Sequence, residues 1–155
     1  MNTEPVRNPD ELPTAQRLAQ HPRWEWRQGM LVGAGAFAGY RCIGHMDGLG
    51  LVFQRGMTSR IVTAHELRHL VNRPVPDLTD DGTAGIVRGM LQTWAAKVDG
   101  LVEIHAGTKQ AVVVVSFEEA GAPWATRIRH MGATVGDAAG QCLLACWARD
   151  ESQCP

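Results

Sequence analysis

The clearest pattern of apolar positions along the chain is helical. Ile86, Val87, Met90, Leu91, Trp94, Ala95 and Val98 recur at i, i+3/i+4 and predict a helix over about 81–98 with one apolar stripe. Thr79 or Asp80 can cap it, Asp80 and Asp81 suit the positive end of its dipole, and Gly100 is placed to end it. A second stripe, Ala138, Ala139, Cys142, Leu143, Cys146 and Trp147, predicts a final helix. It opens behind Thr134-Val135-Gly136-Asp137, which resembles a capping box with Asp in place of Glu. Two shorter helices are expected. One spans about 15–20, with Thr14 as its cap and Pro22 behind it. The other spans 63–71, with Leu67, Leu70 and Val71 apolar and Pro74 and Pro76 as a stiff connector after it.

Period-two patterning marks the remaining segments. Trp24-Glu25-Trp26-Arg27 puts both indoles on one face of an extended stretch. Met30–Val32, Tyr40–Ile43 and Leu51–Gln54 read as three short strands, separated by glycine-rich turns, and suggest an antiparallel meander. Leu101–Ala106 and Gln110–Phe117 form a hairpin in which Val112–Val115, apolar on both faces, belongs in the centre of a sheet under helices. A further strand over 124–128 alternates Trp124, Thr126 and Ile128 with Ala125, Arg127 and Arg129. Strands and helices come in separate blocks, which argues for an α+β fold: a mostly antiparallel sheet with helices packed on it, in a single domain over 13–150. Residues 1–12 are expected to be a flexible tail and 151–155 a frayed end.

Composition adds bounds rather than a function. The 155 residues are 45% apolar and 20% charged, which excludes a fully disordered chain. A formal charge of −1 gives no global field toward nucleic acid or an acidic membrane. No apolar run reaches the ~20 residues of a membrane helix, and the acidic N-terminal stretch does not read as a secretory signal. A cytoplasmic location is therefore expected, with no membrane partner. Cys42, Cys142, Cys146 and Cys154 include no C-x-x-C pair, and Cys142 and Cys146 fall on the apolar stripe, so core packing is expected of them rather than bridges or metal.

One motif proposes chemistry. His65-Glu66-Leu67-Arg68-His69 is a literal H-E-x-x-H. On a helix its imidazoles share a face and could hold zinc, while Glu66 serves as general base toward the bound water. His105, His130 or Glu103 would have to supply a third ligand. Against this reading stand the charge of Arg68 inside the motif, the shortness of the helix and the proline connector behind it. The same residues also suit the solvated face of an amphipathic helix. Arg127, Arg129 and His130 could contact phosphates along a strand edge, or simply be solvated. Trp24 and Trp26 could stack bases, anchor a partner or complete the core.

Three segments also carry a resemblance: Trp24–Met30, Pro74–Asp80 leading into the long helix, and Gly132–Asp137 leading into the last helix. Together they resemble small phage and prophage accessory proteins with a phage ABA-sandwich-like layout, over about residues 14–148. The shared motifs are caps and turns, so the resemblance implies a fold and a phage context and assigns no catalytic residues. Asp81 stands where that group usually has proline. The resulting expectation is a non-enzymatic accessory protein, without a cofactor, that binds a host or phage macromolecule. A protein is the favoured partner, and inhibition of a host defence system is one form this could take. The alternative is a small zinc-dependent hydrolase using His65, Glu66 and His69.

Overall fold

The computed structural model describes residues 12–153. The elements run α1 (Thr14–Gln20), β1 (Val32–Ala34), β2 (Arg41–Met46), β3 (Gly50–Arg55), β4 (Thr58–Val62), α2 (Ala64–His69), β5 (Val75–Pro76), α3 (Asp81–Lys97), β6 (Leu101–Ala106), β7 (Ala111–Phe117), β8 (Thr126–Gly132) and α4 (Val135–Gln153). All strand pairs are antiparallel, and the fold is α+β in one compact domain, as the block pattern predicts. Residues 1–11 of the expected tail, and Cys154 and Pro155, lie outside the described residues.

The first half is the expected meander, enlarged. Backbone bonds tie Met30 and Val32 to Tyr40 and Cys42, and a bridge joins Leu31 to Arg41. β2, β3 and β4 form a three-stranded sheet, while β1 and β5 form a separate two-stranded one beside it. Sequence periodicity does not mark β4, because an edge strand with one buried side chain, Val62, has little alternation to display. The inner face carries Met30, Val32, Cys42 and Phe53 into the core, where Trp26 meets Phe53 edge-on at 5.5 Å and Phe37 stacks on it at 5.5 Å.

The second half is a three-stranded sheet, β6-β7-β8, with α3 and α4 on one face. β7 is central as expected, but helices cover one side only. Ala111, Val113, Val115 and Phe117 are buried, while Val112 and Val114 are half-buried on the open side. The final helix buries Ala138, Ala139, Cys142, Leu143, Cys146 and Trp147. Burial pushes the Cys142 thiol up to about 11 and Cys146 up to about 12, in keeping with a packing role.

Several boundaries differ from expectation. The strand expected over 124–128 runs Thr126–Gly132 and leaves Trp124 exposed outside it, and the helix expected over 63–71 is Ala64–His69, with Val71 exposed beyond its end. α1 begins at Thr14 itself, behind Pro13, with no side-chain cap. Asp99, at φ 50°, rather than Gly100, takes the left-handed position after α3, and the Gly100 N–H closes back on the Ala95 carbonyl at 2.8 Å. α4 does not fray at Asp150 but runs to Gln153. Asp150 Oδ2 accepts from Arg23 Nη1 at 2.5 Å and from the buried Trp94 indole N–H at 3.1 Å, which ties the last turn to α3 and to the stretch after α1.

The two halves join at the N-termini of the long helices. Asp80 caps α3 by accepting from the Thr83 N–H at 2.8 Å, and its carboxylate is forked by Arg41, at 2.8 and 3.1 Å. Arg41 also donates to the Gly29 carbonyl, and the Leu31 N–H donates to the buried Thr83 hydroxyl at 2.8 Å. Thr134 accepts from the Asp137 N–H at 3.1 Å, and its hydroxyl donates to the Leu78 carbonyl at 3.3 Å. Gly29, Leu78, Asp80 and Thr134 therefore all take part in this one junction.

Candidate functional sites

The H-E-x-x-H residues do form the short helix α2. Thr63 is its N-cap, and Thr63-Ala64-His65-Glu66 is a complete capping box. The Thr63 side chain accepts from the Glu66 N–H at 3.1 Å, while Glu66 Oε2 accepts from the Thr63 N–H at 2.8 Å and the Thr63 hydroxyl at 2.9 Å. These bonds, the backbone N–H first, hold the Glu66 carboxyl below its usual value. A general base works best with a raised pKa, so the bonding that makes Glu66 a good cap makes it a weaker base. His65 and His69 are exposed, their ring centroids 4.4 Å apart.

Two imidazoles do not complete a zinc site, which takes at least a third protein ligand. Among the described residues no group of three His, Cys, Asp or Glu side chains converges. Glu103 and His105 lie on β6 and His130 on β8, in the other sheet.

That second sheet places its candidates in a grid on the open face. Cross-strand register sets Leu101, Ser116 and Arg127 in one row, Glu103, Val114 and Arg129 in the next, and His105, Val112 and Met131 in the third. Arg127 and Arg129 are both exposed there and line a shallow groove with Glu103, His105, Val112 and Val114. His130 pairs with buried Val113 on the opposite face, so the strand separates it from the two arginines. The Ser116 hydroxyl is covered and meets no partner among the described residues.

Trp24 and Trp26 stand together, edge to face at 6.0 Å. Trp26 is buried in the core, whereas Trp24 is half-buried. Both line a cleft of about 620 Å³ between the end of α1, the inner face of β2 and β3, and α2. Sequence reasoning missed the rest of this lining. His21 and His45 come from a turn and a strand, and Arg68 and Arg73 from the last turn of α2 and the connector behind it. Arg73 Nη2 donates to the Arg68 carbonyl at 2.6 Å, covering the exposed C-terminal end of α2. His21 stacks on Trp147 at 4.5 Å, and burial is the main cause that lowers its pKa, which keeps the ring neutral near pH 7. The Trp24 indole N–H is covered and has no acceptor among the described residues.

A further surface was not foreseen as a site. On the outer face of β2–β4, Val52 is 8% exposed and sits opposite Ile61, with Ile43 and Met46 on the adjoining strand at 42% and 44% exposure. Ile61 is itself 48% exposed, and Leu49 in the neighbouring turn is 53% exposed.

Comparison of the chain with protein-family models, with curated proteins and with solved structures gives no match.

Proposed function

We propose that the protein is a non-enzymatic accessory protein of phage or prophage type that acts by binding a protein partner, with inhibition of a host defence system as one form of that action. The observation that carries the reading is the outer face of β2–β4, where Ile61 sits opposite Val52 and Ile43, Met46 and Ile61 are exposed. Contiguous apolar surface of this kind marks interaction sites on proteins that otherwise keep polar exteriors. The strands present it on a rigid, hydrogen-bonded frame, which limits the conformational entropy lost on docking. Glu66 supports the same reading from the other side, since its carboxylate is engaged in capping α2.

The test is affinity capture from bacterial lysate with the wild-type protein beside a Met46→Lys/Ile61→Lys variant shown by circular dichroism to be folded. A protein retained by the wild type through nuclease treatment and lost from the variant is the expected result. Identical recovery by both, or recovery abolished by nuclease, would overturn it.

A further inference from the structure

The cleft beside Trp24 is separate from the outer sheet face and has a different chemical character. Its volume, about 620 Å³, lies within the range of small-molecule sites. Its lining includes the half-buried Trp24, edge to face with Trp26, which in turn meets Phe53. Arg68 and Arg73 line the same cleft. Neither guanidinium has a carboxylate partner among the described residues. Charges lining a cleft are normally paired with a carboxylate or turned to solvent. Arg68 and Arg73 are exposed, have no carboxylate partner among the described residues and share the cleft lining with an indole, a combination that suits a planar anion.

The bond from Arg73 to the Arg68 carbonyl adds to this match. It places a cation over the end of α2, whose free carbonyls would otherwise repel a negative ligand. The remaining polar lining is Gln20, Glu25, His21 and His45. Glu25 is the lone carboxylate of the lining, an acceptor suited to sugar hydroxyls or a ring amino group.

We infer that this cleft binds a nucleoside monophosphate, its base stacked on Trp24 and its phosphate held by Arg68 and Arg73. Ring and phosphate are both required by this arrangement, since stacking alone leaves two cations unmet and a phosphate alone leaves the indole bare. Binding of this kind falls as salt rises, because the phosphate contacts are ionic.

The experiment is calorimetric titration of the full chain at low salt with AMP, GMP, CMP and UMP, each beside its free nucleoside and inorganic phosphate. At least one monophosphate is expected to bind, with its nucleoside and inorganic phosphate each weaker by about tenfold or more. Arg68→Ala and Arg73→Ala should each weaken that monophosphate by about tenfold, while Arg73→Lys, which keeps the charge but loses the fork, should weaken it less. Both arginines are exposed, so folding of the variants is checked by circular dichroism before titration. No binding of any monophosphate at millimolar concentration would overturn the assignment. So would a nucleoside that binds as well as its monophosphate, or folded Arg68→Ala and Arg73→Ala variants that bind unchanged.

Discussion

Glu66 belongs to two sequence patterns at once, and in the structure it makes the bonds of the capping box. Read forward with His65 and His69, it is the acidic residue of a metal-dependent hydrolase motif; read backward to Thr63, it closes a T-x-x-E capping box. The second pattern is equally legible in the sequence, since T-x-x-E stands directly before the apolar Leu67. A cap can be tested where a base cannot. Thr63→Ala should destabilise the protein by about 1 kcal/mol in chemical denaturation, the usual cost of losing a threonine N-cap. Glu66→Gln, which can still accept from the Thr63 N–H, should cost less than Thr63→Ala. A Thr63→Ala variant as stable as wild type would mean that the bonds at the start of α2 contribute nothing net. Other residues of the cleft had no such signal. His21, His45, Arg68 and Arg73 are spread over a turn, a strand, a helix end and a connector, and only the tertiary fold places them around one space.

At the scale of elements, legibility followed burial. α3 and α4 each bury a continuous stripe that is readable from periodicity, whereas β7 is readable as a strand from its apolar run, which does not show that only one of its faces is covered. β4 and β5 are short edge segments whose identity comes from hydrogen bonding to neighbours, which side-chain pattern does not encode. The end of α4 shows the same limit. Nothing local marks Asp150 as ordered, yet it accepts from Arg23 and from the Trp94 indole. Removing it should therefore reach beyond its own helix. Asp150→Ala leaves a buried indole N–H without an acceptor and is expected to cost about 1–3 kcal/mol, the penalty for an unmet buried donor. Asp150→Asn keeps an acceptor for Trp94 and gives up the charge toward the partly exposed Arg23, so it should cost less. Equal losses for the two variants in denaturant titration would assign the effect to charge and not to the indole bond.

For the molecule as a whole, stability turns on the junction where the two halves meet. Arg41 on β2 holds Asp80 at the start of α3, and the Arg41 guanidinium is the main cause that keeps the Asp80 carboxyl well below the usual carboxylate range. A carboxyl with a depressed folded-state value stabilises the fold fully above its unfolded value of about 3.9 and loses that contribution as pH falls below it. Asp80→Asn keeps a competent N-cap but removes the charge at every pH. Its deficit against wild type should thus be greatest at neutral pH, about 1 kcal/mol given the partial exposure of Arg41, and should shrink as pH falls from about 4 toward 2. Because Arg41, Gly29, Leu31 and Thr83 link the meander to α3, and Thr134 links α4 to Leu78, both halves should respond together. Acid titration followed by far-ultraviolet circular dichroism, which reports chiefly on α3 and α4, and by near-ultraviolet dichroism, sensitive to the Trp26–Phe53 cluster, should give one coincident transition in the wild-type protein. A deficit of Asp80→Asn that stays constant with pH would show that the pairing with Arg41 adds nothing beyond the cap. Separate transitions would show that the junction does not couple the two sheets.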